Sequence, residues 1–513
     1  MLARIVLPLA VMAAAASPAK APTPGGAVRA WRQAREPAIV RELADLAAIP
    51  NVASDSAGIR QNVTALVALL EKHGVRAQVL ANGPWPPAVF GELATPGARR
   101  TVVFYAHYDG QPVTASEWSS PPWEPTLRVR DGSGWRTVPI PAADSRERMD
   151  PEARLFARSV SDDKAPIVAM LRALDALRAT GRKPSVNLKF FFEGEEEAGS
   201  PHLRELLLAH RGALGADAWL FCDGPVHPSR RPQLVFGVRG SMGLELTAYG
   251  PARALHSGHY GNWAPNPAAL LVRTLASMRD EDGRVLIEGF YDDVRPVTAA
   301  EREAVAALPS QDEALRQELA LGATEAGNAP SYERIMLPAL NIRGLRAGAV
   351  AAAAANAIPT EARASIDFRL VPNQTPERVR RLVEAHLAAQ GWFVVHDSAD
   401  AAVRMAHARV MRAEWEGGYA AYRVPLDAPV ARALRACLDA TLDQPVLLVP
   451  TLGGSLPLSI FADALDAPLV TVPIVNHDNS QHAKDENLRL QNLWDGIELY
   501  AAIMEGLGSR WPK

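Results

Sequence analysis

Cysteine is nearly absent from this chain: Cys222 and Cys437 are the only two in 513 residues. Two thiols so far apart make no disulfide framework and no zinc-finger ligand set. Cys222, inside an apolar strand pattern, reads as a buried thiol. Charge of one sign is also lacking. With 54 basic and 57 acidic residues the net charge is -3, which gives no electrostatic reason to expect nucleic acid or an anionic membrane surface as partner. Beyond the N-terminus no apolar run is long enough to span a bilayer. No GxSxG elbow is present and Ser455 has no sequence-evident base, which disfavours a serine hydrolase. No internal repeat and no extended low-complexity tract follows the first residues.

What is present is ample apolar material, 48% of the chain, enough for ordinary cores. At about 100–200 residues per domain the length predicts two to four domains. Arg4 followed by the apolar run 5–16 and then small residues reads as a signal peptide, cleaved between about Ala14 and Ala21. Pro18, Pro22, Pro24, Gly25 and Gly26 read as a flexible leader. The expected location is therefore outside the cytoplasm, periplasmic or secreted, with no membrane attachment after cleavage.

Helical spacing occurs at 41–46, 62–73, 166–177 and 202–210, and compact β-branched or aromatic runs at 101–106, 186–192 and 218–222. This alternation predicts a mostly parallel mixed sheet flanked by helices, an α/β fold. From about residue 237 the pattern changes. Strand patterns at 244–249 and 364–370 and helical patterns at 267–279 and 375–390 suit a smaller α+β sandwich inserted into the first domain. The charged stretch 281–330 is partly helical and has no place in this scheme. Around 419–425 the chain returns to the first domain, with a helix at 430–441, a strand at 469–475 and a closing helix at 490–507. The expected division is 1–26 signal peptide and leader, 27–236 and 419–513 the two parts of a catalytic domain, and 237–418 a lid and dimerisation domain.

The acids and histidines fall at the ends of these strands. The 101–106 run leads into His107-Tyr108-Asp109, the 186–192 run into Glu193-Gly194-Glu195-Glu196-Glu197, and the 218–222 run into Asp223; His482 follows the 469–475 run. Carboxyl ends of strands in open α/β sheets face the ligand crevice, so these groups converge. Asp162-Asp163-Lys164 precedes a predicted helix, whose N-terminus also favours anions. Singly, each motif also reads as a polar strand end or a solvated face; together, and in order, they read as a site. So many carboxylates repel one another and would take up protons without a cation. Two dications offset that repulsion, and zinc accepts imidazole and carboxylate ligands. Asp109, two residues beyond His107, is placed to fix the imidazole tautomer.

These motifs resemble the metallopeptidases that include carnosinase, bacterial dipeptidases, glutamate carboxypeptidase and aminoacylase, from about Arg41 to the C-terminus apart from the stretch 281–330. His107-Tyr108-Asp109 resembles the first metal motif, Ser161-Asp162-Asp163-Lys164 the second, Glu193 to Ser200 the EGxEExGS motif, and Gln481 to Asn487 the last histidine motif. The resemblance implies that Asp162 bridges two zinc ions (manganese or cobalt being alternatives). His107 and Asp223 then complete one site, and Glu197 and His482 the other. It further implies that Glu196 is the general base for a water bridging the ions, and that Asp109 orients His107. In the lid, Leu255-His256-Ser257-Gly258 resembles the motif whose histidine reaches a partner subunit's active site, which implies a homodimer. Arg369 resembles the arginine that clamps a substrate carboxylate. Asn356 falls at a substrate-contacting position, and Gly454 and Ser455 in a loop that closes over substrate.

Departures gather at the approach to the second motif. Ala157-Arg158-Ser159-Val160 stands where relatives have Gly-Arg-Gly and one further residue, Ala165 replaces a glycine, and 131–151 is longer than typical. The remaining histidines match no motif; His477 is the nearest decoy to His482. The expected activity is metal-dependent hydrolysis of dipeptides or of the C-terminal residue of short peptides. An N-acyl-amino-acid amidohydrolase and a catalytically silent metal-dependent binding protein are the alternatives.

Overall fold

The run from Thr101 buries both faces of one strand, and the rest of the larger domain follows from that. In this computed structural model, which describes residues 24–511, Thr101–His107 is a strand. Val102, Phe104 and Ala106 enter one apolar cluster, while Val103 and Tyr105 enter another on the opposite face. A strand covered on both sides needs no alternation of polarity, which is why it reads as a continuous apolar run. The same division holds in Asn187–Glu193, where Leu188, Phe190 and Phe192 oppose Phe191, and in Ala218–Phe221, where Leu220 opposes Trp219 and Phe221.

The large sheet has eight strands, in the order Arg76–Asn82, Trp85–Leu93, Asn187–Glu193, Thr101–His107, Ala218–Phe221, Leu469–Thr471, Gln233–Val235, Leu447–Val449. Its central pairs are parallel. Trp85–Leu93 runs antiparallel to the strand on either side of it, and Leu469–Thr471 is antiparallel to Gln233–Val235. The helices Glu36–Ala47, Ser56–Lys72, Ala165–Ala179, Pro429–Asp439 and Leu490–Arg510 bury their apolar sides in the first cluster. Leu203–Ala209 and Leu458–Leu465 cover the other face. Ser56–Lys72 starts well before its expected bound because the Asp55 carboxylate caps it, accepting from the Ala57 and Gly58 amides.

A second sheet pairs distant segments, in the order Asn487–Arg489, Arg154–Phe156, Thr126–Asp131, Gly134–Val138. It uses the start of the long 131–151 segment as a hairpin, and it joins the approach to Asp162 to the segment after His482. Sequence patterning missed it because its strands are short and one of its pairs joins segments more than 300 residues apart.

The smaller domain is a five-stranded sheet, in the order Ala339–Arg346, Glu361–Leu370, Gly240–Tyr249, Val410–Tyr419, Phe393–Val395. Helices Pro267–Met278 and Pro376–Ala389 cover one face through Leu271, Leu275 and Met278 and through Val379, Val383 and Leu387. Both are N-capped, by Asn266 and Thr375. The stretch 281–330 contains the helices Ala299–Ala306, Asp312–Glu318 and Glu325–Asn328. Its Ile287 and Phe290 enter the smaller core, and Leu308 packs with Val235, Leu447 and Val449 of the large sheet.

The expected signal peptide lies outside the described residues. The flexible leader needs correction at its end: Pro24, Gly25 and Gly26 open a helix, Pro24–Gln33. Proline is tolerated in a first helical turn, and tertiary contacts hold the helix, with Val28 buried and Arg29 and Arg32 paired to Glu498 of the closing helix. Among the described residues no helix is long and apolar enough to cross a membrane.

Candidate metal centre

Three parallel strands end side by side at one edge of the large sheet. Thr101–His107 and Asn187–Glu193 are in register at His107 and Glu193, and Asp223 lies just past Ala218–Phe221. Asp162 arrives from another direction, in the single turn Val160–Lys164 that precedes Ala165–Ala179. His482 comes from the loop before Asn487–Arg489.

Two groups of ligand atoms result. His107, Asp162 and Asp223 form one, and Asp162, Glu197 and His482 the other, the atoms of each lying within 4.8 Å of one another. Asp162 belongs to both and divides its oxygens between them. Its Oδ1 lies 3.0 Å from His107 Nε2 and its Oδ2 3.1 Å from His482 Nε2. His482 Nε2 is also 3.2 Å from Glu197 Oε2, and Asp223 Oδ2 is 4.0 Å from His107 Nε2. All five expected ligands therefore meet, and the decoy His477 is not among them.

The electrostatics explain what such a cluster needs. Burial, with Asp162 next to it, raises the Asp223 carboxyl to about 7. Burial likewise raises Glu196, opposed by His107 and reinforced by Asp223 and Glu197. For Asp162 burial acts upward, but hydrogen bonds with His107 and His482 outweigh it and hold the carboxyl well below its usual range. Hydrogen bonds with Asp162 and Glu197 lift His482 to about 10. Acids held above their ordinary range beside histidines held above theirs show a site short of positive charge. Oxygen and imidazole donors in two groups sharing one carboxylate fit two divalent cations of the zinc type.

Other residues hold these in place. Asp109 accepts from the Glu196 and Glu197 amides at 3.1 and 3.0 Å, and its Oδ1 lies 3.5 Å from His107 Nδ1. It thus orients the glutamate turn as well as the histidine. Gln111 donates to Glu197 Oε2 at 2.7 Å, and Gln481 to Asp162 Oδ2 at 3.3 Å. Glu193 accepts from Tyr105 and Ser200. Gly194 is needed for a steric reason: a β-carbon there would lie 2.6 Å from Tyr108 Cζ.

Sequence reasoning missed Glu486. Its carboxylate, fully buried, accepts from the Ser159, Ser161 and Asp162 amides, the Ser161 hydroxyl and Arg158 Nη1, all between 2.8 and 3.0 Å. It clamps the turn that presents Asp162. Its one legible signal was an acid four residues after the metal-motif histidine, indistinguishable in sequence from Asp485. The departure at Ser159 also has a structural answer. Ser159 takes the left-handed φ of 60° that glycine adopts readily, and its hydroxyl accepts from Asn51 Nδ2 at 2.9 Å.

Of the remaining expected residues, Arg369 and Ser455 meet, Nη1 donating to Oγ at 2.8 Å. Gly454 is exposed in the same loop. His256 and Asn356 meet each other, not the metal ligands: Leu255–His256 pairs with Ala357–Ile358, and the Ser257 amide donates to the Asn356 carbonyl. Both are exposed on the smaller domain.

The chain is 26% identical over 494 residues to the Cys-Gly metallodipeptidase of Schizosaccharomyces pombe, covering 94% of this chain and 96% of that one. It is 26% identical over 429 residues to the human β-Ala-His dipeptidase, covering 82% and 77%. The solved structure of an M20 family metallo-carboxypeptidase from Sulfolobus solfataricus superposes with a TM-score of 0.73 at 26% identity, covering 92% of this chain and 99% of that one. The model of peptidase family M20/M25/M40 matches residues 103–506, and with that match spanning the ligand groups of both sites, the chain belongs to this family and is a metallopeptidase.

Proposed function

We propose that this enzyme hydrolyses dipeptides, or the C-terminal residue of short peptides, using two zinc ions held by His107, Asp162, Glu197, Asp223 and His482. The observation that carries the reading is the division of Asp162 between two three-ligand groups, with the Glu196 carboxyl within electrostatic reach of His107 and Asp223 in one and of Glu197 in the other. Bound cations would polarise the scissile carbonyl and make an attacking water more acidic. Glu196 takes the proton from that water and returns it to the leaving amine. Its turn is held by Asp109, so the carboxylate needs little reorganisation. Arg369, steadied by Asp367 at 3.0 Å and by Ser455, takes the substrate carboxylate and sets the cut next to a free C-terminus.

The exposed position of His256 and Asn356 supports a homodimer formed through the smaller domain, in which His256 of the partner subunit completes the site. A monomer in sedimentation at assay concentration would contradict this. Export rests on the apolar run after Arg4; a product found in the cytoplasmic fraction with its first residues intact on N-terminal sequencing would contradict it.

The deciding experiment measures metal content and dipeptide hydrolysis for the wild type and Glu196→Ala. Wild type should hold about two metals per chain. Glu196→Ala should keep them and lose about 10²–10⁴-fold in kcat. Turnover of N-acyl amino acids but not of dipeptides would favour an amidohydrolase. Metal binding without turnover of either would leave a binding protein.

A further inference from the structure

The carboxylate-binding end of the cleft contains a group that neither the motifs nor the family comparison singles out. In the five-stranded sheet Arg369 lies opposite Ser241, and Ser241 lies opposite Tyr419. Residues directly opposite one another across strands present their side chains on the same face. Arg369, Ser241 and Tyr419 therefore form one row at the end of the sheet nearest the large domain. The helices Pro267–Met278 and Pro376–Ala389 pack on the other face, through Phe368, Leu370 and Met242.

The row meets the loop 453–455 of the large domain. Ser455 Oγ accepts from Arg369 Nη1 at 2.8 Å, and the Tyr419 phenol lies within reach of Ser455. Arg239, one residue before the central strand, fixes the base of this loop. Its Nε and Nη2 donate to the Gly453 carbonyl at 3.1 and 2.9 Å. Gly454 has open space around it. Tyr419 is partly buried, and the catalytic side of the cleft lies within electrostatic reach of it. Burial first, and Glu196 second, raise the phenol above its ordinary value, so it stays protonated and able to donate throughout the neutral range.

We propose that Tyr419 is a specificity-determining residue: with Arg369 and Ser455 it forms a three-point receptor for the substrate's C-terminal carboxylate, the phenol donating to one carboxylate oxygen. The inference rests on the reading of Arg369 as the carboxylate anchor. A guanidinium fork and two hydroxyls around one position match a planar anion with two acceptor oxygens. The position of Tyr419 adds a consequence. It is the last residue of Val410–Tyr419, just before the chain re-enters the large domain at Tyr422–Arg423. A carboxylate bound there bridges the smaller domain, through Arg369 and Tyr419, to the large domain, through Ser455. Substrate lacking that carboxylate loses the bridge.

The test compares wild type and Tyr419→Phe on Ala-Leu and its C-terminal amide, and measures binding of L-leucine and L-leucinamide to the metal-loaded enzymes by calorimetry. Tyr419→Phe should raise KM for Ala-Leu and weaken L-leucine binding by about tenfold each. The change in kcat should stay within about twofold, and the amide and leucinamide should be unaffected. A merely structural role would shift acid and amide alike. If the acid-to-amide ratio matches that of wild type, or kcat falls with KM unchanged, the inference is overturned while dipeptidase function stands. If wild type cleaves no dipeptide but Tyr419→Phe still weakens L-leucine selectively, the carboxylate receptor stands and the proposed function fails.

Discussion

Asp162 is the residue on which the centre turns, and it is held by a carboxylate that is not itself a ligand. Glu486 fixes the Ser159, Ser161 and Asp162 amides and pairs with Arg158 at 2.9 Å. Groups that orient ligands commonly contribute 10–100-fold to metal affinity. Glu486→Gln keeps the shape but removes the charge facing Arg158, and should lower metal affinity by about 10–100-fold, measured by chelator competition. Unchanged affinity with an equal loss of melting temperature in metal-free and metal-loaded protein would leave Glu486 a purely structural residue. At this scale the convergence of acids and histidines was legible, because strand ends restrict where such side chains sit, whereas Asp162 and Glu197 were singled out from their neighbours only by the family resemblance. Glu486 was not, since only burial distinguishes it from Asp485, which caps Ser119 at the surface.

Between elements, a charge cluster around the buried His73 and Glu42 joins three helices. His73, at the end of Ser56–Lys72, lies 2.8 Å from Asp175 of Ala165–Ala179 and 3.4 Å from Glu42 of Glu36–Ala47. Lys72 and Arg172 also reach Glu42. Burial acts to lower His73, but its two carboxylate partners outweigh it and raise it above 6.5. Its contribution to stability is therefore complete below about pH 6.5 and is lost as pH rises through the folded-state value. Burial acts to raise Glu42, but His73, Arg172 and Lys72 hold it at about 2, against an ordinary 4.5. Its contribution is complete above about pH 4.5 and is lost as pH falls towards 2. His73→Gln should thus lower the melting temperature most between about pH 4.5 and 6.5 and progressively less towards pH 9. A penalty that does not vary with pH would show that shape, not charge, is what His73 supplies. The helices themselves were legible from their apolar spacing. This cluster was not, because its members are ordinary helix-surface residues until the helices pack.

The whole molecule balances a folded frame against an acidic centre. Without cations, Asp223 titrates near 7 in place of its ordinary 3.8. A carboxyl raised on folding binds protons more tightly when folded, so its effect on stability becomes unfavourable as pH rises from about 4 to 7. The raised histidines His107 and His482 act in the same direction. Chelator-treated protein should therefore lose melting temperature from pH 5 to pH 8, and saturating zinc should restore more at pH 8 than at pH 5. Equal restoration at both values would contradict the charge argument. Residue chemistry and periodicity by themselves determined the α/β class, the inserted smaller domain and the gathering of acids and histidines at strand ends, because each depends on side-chain type and local spacing; the choice of Asp162 over Asp163, the register within Glu195-Glu196-Glu197 and the lid motifs came from the family resemblance. Only the tertiary structure decided that Asp162 splits its oxygens between two groups, that Glu486 holds it, that 154–156 pairs with 487–489, and that Tyr419 stands in line with Arg369. These depend on which distant strands lie side by side, and that is settled by packing over hundreds of residues, not by any local pattern.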